Sequence, residues 1–169
     1  MIGCLIILLD INEPAVDELC QNINKEEILH KAVAFRCDVT SESEVVSVCA
    51  RIKREIGNPT MLINNAGIVA GKYFQDLEYK DFVKTFNVNV LSNVLLVKQF
   101  LPNMLENNHG HIVSVSSILA LKGLAGVSEY CSSKAAAATF MSSIRYEIDL
   151  LGNFLFLILF YDLDNLVKK

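Results

Sequence analysis

The chain has no apolar run of the roughly 20 residues that a membrane-spanning helix needs, no cluster of lysine and arginine, and no Cys-x-x-Cys pair. Its two apolar stretches, Ile2 to Leu9 and residues 154–161, are each too short to span a bilayer. The first also lacks the basic start and small-residue cleavage site of a signal peptide. The missing basic run, with a formal net charge of −4, argues against nucleic acid or anionic membrane as the main partner. Five cysteines are scattered at Cys4, Cys20, Cys37, Cys49 and Cys131, and the histidines His30, His109 and His111 lie in polar or strand-edge settings. That pattern supports neither a zinc site nor a disulfide framework, and it predicts reduced, mostly buried thiols in a reducing compartment. What the chain does have is a 52% hydrophobic fraction over 169 residues, enough to give one domain a sizeable core.

The most informative stretch runs from Gly110 to Lys134. His111 to Val115 is short, rich in β-branched residues and set off by Asn107, Asn108 and Gly110, so it reads as a buried strand with Ser116 and Ser117 at its carboxyl end. In an open parallel α/β sheet, ligands bind at that end. Tyr130 and Lys134 lie four apart in a helix and share one face. An ammonium close to a phenol favours the phenolate, which can take a proton from an alcohol or return one to a forming alkoxide near neutral pH. Ser117 can hydrogen-bond the same substrate oxygen. The pair alone is weak, because chance supplies a Tyr-x-x-x-Lys in roughly a third of chains with this composition, and its bland alternative is a solvated helix face.

In chain order, Ile2 to Leu9 reads as a buried strand ending at Asp10. Pro14 suits a first helical turn, and Val16, Leu19, Cys20 and Ile23 mark an apolar helix face over residues 13 to about 25. Ala32 to Arg36 is a short strand followed by Asp38. Ser41 and Glu44 form a capping-box pattern ahead of a helix carrying Val45, Val48, Cys49 and Ile52. Met61 to Ile63 is a strand, followed by Asn64-Asn65-Ala66-Gly67, where the small residues let backbone approach a ligand; a plain turn is the alternative. A long helix runs from Glu78 to about Glu106. A second continues from Tyr130 through Ala135-Ala136-Ala137-Ala138 to about Leu151.

Ser117 lies 13 residues before Tyr130, Asn64-Asn65-Ala66-Gly67 closes an earlier apolar run, and Asn87-Val88-Asn89-Val90 opens the apolar part of the long helix. This set resembles the short-chain dehydrogenase/reductase family, from about Ile6 to Gly152. Within it, Leu8-Leu9-Asp10-Ile11-Asn12, Ile63 to Val69, and His109-Gly110-His111 are most similar to the membrane-associated retinol and epidermal retinal dehydrogenase branch. The resemblance implies an α/β, Rossmann-type doubly wound parallel sheet. It also implies oxidoreduction of a lipophilic alcohol, ketone or aldehyde of retinoid or steroid type.

The family's catalytic tetrad falls on Asn89, Ser117, Tyr130 and Lys134. Tyr130 is then the general acid/base, Lys134 its neighbour and a ribose ligand, and Ser117 the group that polarises the substrate oxygen. Asn89 kinks the long helix, and its carbonyl holds a relay water; a solvated helix position is the alternative. Cofactor contacts fall on Asp10, Asp38, Asn65, Ala66, Gly67, Tyr130 and Lys134. Asp38 is expected beside the adenine. Asp10 is expected on the adenosine ribose, where its charge repels a 2′-phosphate and favours NAD over NADP; its alternative is a cap on the following residues. The two long helices imply a homodimer, or a heterodimer with a full-length relative. A cytoplasmic location is expected, with endoplasmic-reticulum or lipid-droplet association implied by the resemblance.

The chain also departs from the family. The first strand, the Thr-Gly-x-x-x-Gly-x-Gly phosphate loop and the first helix would precede Ile2. After Gly152 there is no counterpart to the Pro-Gly turn, the nicotinamide-contacting Thr or the substrate lid, and no Pro follows Pro102. The expected division is a partial Rossmann domain over 1–152 and a divergent apolar tail over 153–169. Residues 154–161 read as a strand in the sixth-strand position or, exposed, as an aggregation segment or peripheral membrane contact. The absent strand would join the Asp10 half to the Asn65 half, which predicts marginal stability or a gap filled by another segment. Two readings follow, an oxidoreductase impaired by truncation and a non-catalytic truncated relative that pairs with full-length proteins.

Overall fold

Short apolar strands alternate with amphipathic helices, the pattern that builds parallel α/β sheets. The computed structural model describes residues 4–25 and 31–151 and the backbone of 156–162. Two units divide the chain, Met1–Arg54 and Glu55–Lys169.

The first unit contains β1 (Leu5–Asp10), α1 (Glu13–Lys25), β2 (Lys31–Arg36) and most of α2 (Glu42–Glu55). β1 and β2 pair in parallel, with Leu5 opposite Lys31 and Asp10 opposite Arg36. Asn12 starts α1, its Oδ1 accepting from Ala15 N–H at 3.3 Å, and Pro14 follows in the first turn, where its missing N–H costs no bond. Val16 and Cys20 are the buried pair of α1, whereas Leu19, expected on the same face, is exposed. At the other end of α1, Asn24 takes both backbone groups of Ala32, donating to its carbonyl at 2.9 Å and accepting from its N–H at 2.8 Å. One amide side chain thereby docks the helix on the first residues of β2.

α2 buries Val45, Val48, Cys49 and Ile52 at helical spacing. Half of the expected capping box forms, with Ser41 Oγ accepting from Glu44 N–H at 3.4 Å. The Glu44 carboxylate bonds the Arg36 guanidinium, a charge-assisted contact stronger than a return bond to a neutral amide.

The second unit contains β3 (Met61–Asn64), α3 (Tyr79–Phe86), α4 (Ser92–Glu106), β4 (His111–Ser117), α5 (Ser128–Leu150) and β5 (Phe156–Asp162). Its strand order is β3-β4-β5, all parallel, with Asn64 opposite Ser114 and Ser117 opposite Asp162. The apolar run read as a strand over 154–161 thus lies beside β4 from residue 156 onward; residues 154 and 155 lie outside the described residues. One face of this sheet buries Leu62, Asn64, Ile112, Ser114 and Ser116, and α4 contributes Leu96, Val97, Phe100 and Met104 to the core. Cys20, Cys37, Cys49 and Cys131 are buried free thiols. No described helix is long and apolar enough to cross a membrane.

α4 ends in a Schellman motif. His109 N–H bonds Met104 O at 3.0 Å, Asn108 N–H bonds Leu105 O at 3.1 Å, and Asn108 takes the left-handed conformation with φ 45°. The chain then turns into β4 through the buried Gly110.

Candidate active site

The long helix read over Glu78–Glu106 is α3 and α4 joined by a π-turn, Asn87–Leu91, with Asn89 at its centre. A π-turn widens the helix by one residue and is frequent at functional sites. Here it points an amide into the interior. Asn89 is 2% exposed, which removes the alternative of a solvated helix position. Its Oδ1 accepts from Ile68 N–H at 2.8 Å, and its Nδ2 donates to Ile68 O at 2.9 Å and to Ser133 Oγ at 2.9 Å. Its backbone carbonyl accepts from Asn93 Nδ2 at 3.4 Å, and the same amide group donates to Ser114 Oγ at 3.2 Å on β4.

Tyr130 and Lys134 occupy successive turns of α5, as their spacing predicts. Lys134 is 5% exposed, its ammonium donates to Val115 O on β4 at 2.7 Å, and it lies 5.7 Å from the centre of the half-buried Tyr130 ring. Loss of hydration pushes the Lys134 pKa below the ordinary lysine value. Ser133 links two of the four catalytic candidates, Tyr130 and Asn89: its hydroxyl donates to Tyr130 O at 2.8 Å and accepts from Asn89 Nδ2 at 2.9 Å. Ser117 stands at the carboxyl end of β4, two residues beyond Val115. It is buried, and its Oγ accepts from Leu119 N–H at 3.2 Å in the 3-10 turn that follows.

Asn65, Ala66 and Gly67 leave the carboxyl end of β3 exposed. A Cβ placed on Gly67 would lie 3.5 Å from Lys134 Nζ and 3.6 Å from Asn89 Oδ1, so this backbone borders the buried ammonium closely. Asn89, Tyr130, Lys134 and Gly67 therefore form one cluster in the second unit.

The first unit carries Asp10 and Asp38 at the carboxyl ends of its neighbouring strands, where Cys37 N–H bonds Asp10 O at 2.9 Å. Asp10 is exposed, and its Oδ1 accepts from Asn12 N–H at 2.8 Å, so it does brace the residue that caps α1. Among the described residues its Oδ2 remains open to a donor. Asp38 Oδ1 accepts from the Thr40 hydroxyl at 2.7 Å and the Thr40 N–H at 2.9 Å, bonds that hold its pKa below the usual carboxylate value.

Partners of these side chains that sequence reasoning missed are mostly backbone: the Val115 carbonyl and both groups of Ile68. Ser133 was visible in Tyr130-Cys131-Ser132-Ser133-Lys134, but its role appears only once Asn89 is placed beside it.

This arrangement has the character of a nucleotide-binding α/β fold with a Tyr–Lys pair at the strand ends. Comparison with known proteins bears on it directly. Residues 2–152 match the short chain dehydrogenase family, and the chain belongs to that family. It is 43% identical over 150 residues to short-chain dehydrogenase/reductase family 16C member 6 of Bos taurus, covering 89% of this chain and 47% of that protein. It is 40% identical over 146 residues to epidermal retinol dehydrogenase 2 of Mus musculus, covering 86% and 47%. Among solved structures, a short chain dehydrogenase/reductase from Burkholderia phymatum in complex with NAD superposes with a TM-score of 0.84 at 25% identity, covering 90% of this chain and 54% of that one. The expected Rossmann-type fold is the fold found, and the chain spans about half the length of the curated relatives it matches.

The donors present fit a nicotinamide dinucleotide. In the second unit, the Lys134 ammonium, with one of its three protons given to Val115, can bond ribose hydroxyls; in the first unit, taken by itself, the open oxygen of Asp10 can accept from ribose hydroxyls. Among the described residues no three His, Cys, Asp or Glu side chains cluster as metal ligands.

Proposed function

We propose that the protein interconverts an alcohol and a carbonyl on a lipophilic substrate of retinoid or steroid type, with NAD as the preferred cofactor. The observation that carries this reading is the buried Lys134 ammonium, fixed on Val115 O and lying 5.7 Å from the Tyr130 ring. The substrate class draws support from the retinol dehydrogenase relative, and NAD from the Asp10 carboxylate, which would repel a 2′-phosphate.

In the oxidative direction Tyr130 acts as a phenolate, whose charge the Lys134 ammonium stabilises, and takes the hydroxyl proton of the substrate to become a neutral phenol. The bound nicotinamide supplies the hydride acceptor. Ser117 donates a hydrogen bond to the substrate oxygen, opposing its drift from Tyr130. Asn89 holds the site's framework through its side chain, and its backbone carbonyl, which accepts from Asn93 Nδ2, is the group that would hold a relay water. Lys134, Asn65, Ala66 and Gly67 of the second unit would hold the nicotinamide end of a dinucleotide; in the first unit Asp10 and Asp38 are the residues suited to an adenosine. As a dimer, the protein would use α4 and α5, whose alanines at 135–138 allow close helix approach.

The test uses Tyr130→Phe with all-trans-retinol and NAD. Turnover should fall by at least about a thousandfold with an unchanged melting temperature. Undiminished turnover in the variant would sink the assignment. No turnover in either protein, with a melt that NADH does not shift, would support the second reading, a non-catalytic chain that pairs with a full-length relative.

A further inference from the structure

Glu129, the residue before Tyr130, is 0% exposed. Carboxylates are almost never buried so completely without partners. One oxygen, Oε1, accepts from Ala70 N–H at 2.8 Å, and the other, Oε2, is buried with no partner among the described residues. Glu129 lies in the first turn of α5, where the free amide ends of the helix favour negative charge. The helix end alone does not account for it, because its hydrogen bond leaves the helix and reaches 59 positions back in the sequence.

The bond lands on the segment that follows Asn65-Ala66-Gly67. That segment lies outside any helix or strand and has no ladder of its own, so side chains or water must satisfy its backbone groups. Asn89 takes both groups of Ile68, and Glu129 takes the N–H of Ala70. The two anchors are two residues apart. Between them they tie the stretch beyond Gly67 to the π-turn on one side and to the start of α5 on the other, with Gly67 itself against Lys134.

We propose that Glu129 is a positioning residue: its carboxylate fastens Ala70 to the start of α5 and so keeps the Gly67 backbone in place beside Lys134. Its importance for catalysis rests on the reading of Tyr130 and Lys134 as the reacting pair. The property that matters is reach rather than charge. Gln keeps an acceptor at the same distance from the backbone, whereas Asp keeps the charge one methylene short.

The experiment is residue-resolved amide hydrogen exchange by NMR on the full chain, without cofactor, for wild type, Glu129→Gln and Glu129→Asp. In Glu129→Asp the Ala70 amide should exchange about tenfold faster and the Gly67 amide resonance should move, while Ile68 and β4 amides stay as in wild type. Glu129→Gln should restore Ala70 protection to within about twofold of wild type and return the Gly67 resonance. Unchanged Ala70 exchange in Glu129→Asp overturns the proposal. So does equal acceleration in both variants, which would make charge the important property. Faster exchange spread through β4 also overturns it, because the role would then be general stability. These readouts involve no turnover, so they stand or fall separately from the assignment of Tyr130.

Discussion

Asn89 satisfies both backbone polar groups of Ile68, accepting from the N–H at 2.8 Å and donating to the carbonyl at 2.9 Å. Asn24 makes the same double bond to Ala32 in the first unit, but there the amide is exposed, whereas Asn89 is buried. Burial raises the cost of losing the pair, because the abandoned groups cannot turn to water. Asn89→Ala should therefore lower stability by about 2–4 kcal/mol, measured by urea unfolding. Asn89→Asp should be no milder. Its carboxylate can still accept from Ile68 N–H, but it has no proton for the Ile68 carbonyl or for Ser133. A loss below about 0.5 kcal/mol in either variant would show that the Ile68 bonds are replaceable.

Lys134 should leave a signature in the pH dependence of stability. Its ammonium is buried, and lost hydration depresses its folded-state pKa below the ordinary lysine value near 10.4. Between the depressed value and the ordinary one the unfolded chain binds more protons than the folded chain, so stability rises with pH across that window. Below it the penalty for burying the charge is fully present; above it the penalty is gone. Lys134→Met removes the titration, so the stability of wild type relative to this variant should climb as pH rises toward the ordinary lysine value of about 10.4. Urea unfolding of both proteins across that range checks this, and a flat difference would mean that Lys134 titrates as in water.

The parts of this molecule that were legible in the sequence are those that depend on side-chain spacing. Tyr130 and Lys134 share a face because α5 is an uninterrupted helix, and Val45, Val48, Cys49 and Ile52 are buried as their period predicts. The π-turn at Asn87–Leu91 was not visible as such. One extra residue per turn barely disturbs an apolar pattern this long, and the hints were a mid-helix asparagine and the kink that the family resemblance implied there. Leu19 escaped correct placement because period alone does not say how wide the covered stripe of α1 is. The Glu44 carboxylate went to Arg36, a partner eight residues away that no local capping rule could weigh. The bonds to Val115 O and Ile68 were hidden for a simpler reason: every residue carries those backbone groups, so composition cannot mark which ones a site uses.

Gly110 provides a case where space, not backbone conformation, requires glycine. The left-handed position of the α4–β4 connection belongs to Asn108, and Gly110 instead lies against Met104, where an added Cβ would sit 2.5 Å from Cγ, 2.6 Å from Sδ and 2.8 Å from Cβ. Met104 is 1% exposed, so its thioether has no open side to swing into. Its own Cβ is fixed by the helix. Gly110→Ala should then cost about 1–3 kcal/mol through overpacking. Met104→Ala alone should cost about 2–5 kcal/mol, as buried methionine truncations do. In the double variant the new methyl enters the space vacated by the thioether, so the combined loss should fall short of the sum by at least about 1 kcal/mol. Urea unfolding of the four proteins measures this coupling directly. Strict additivity would place the strain of Gly110→Ala in the backbone of the α4–β4 turn or in the Cβ of residue 104, which alanine keeps, rather than in its contact with the thioether.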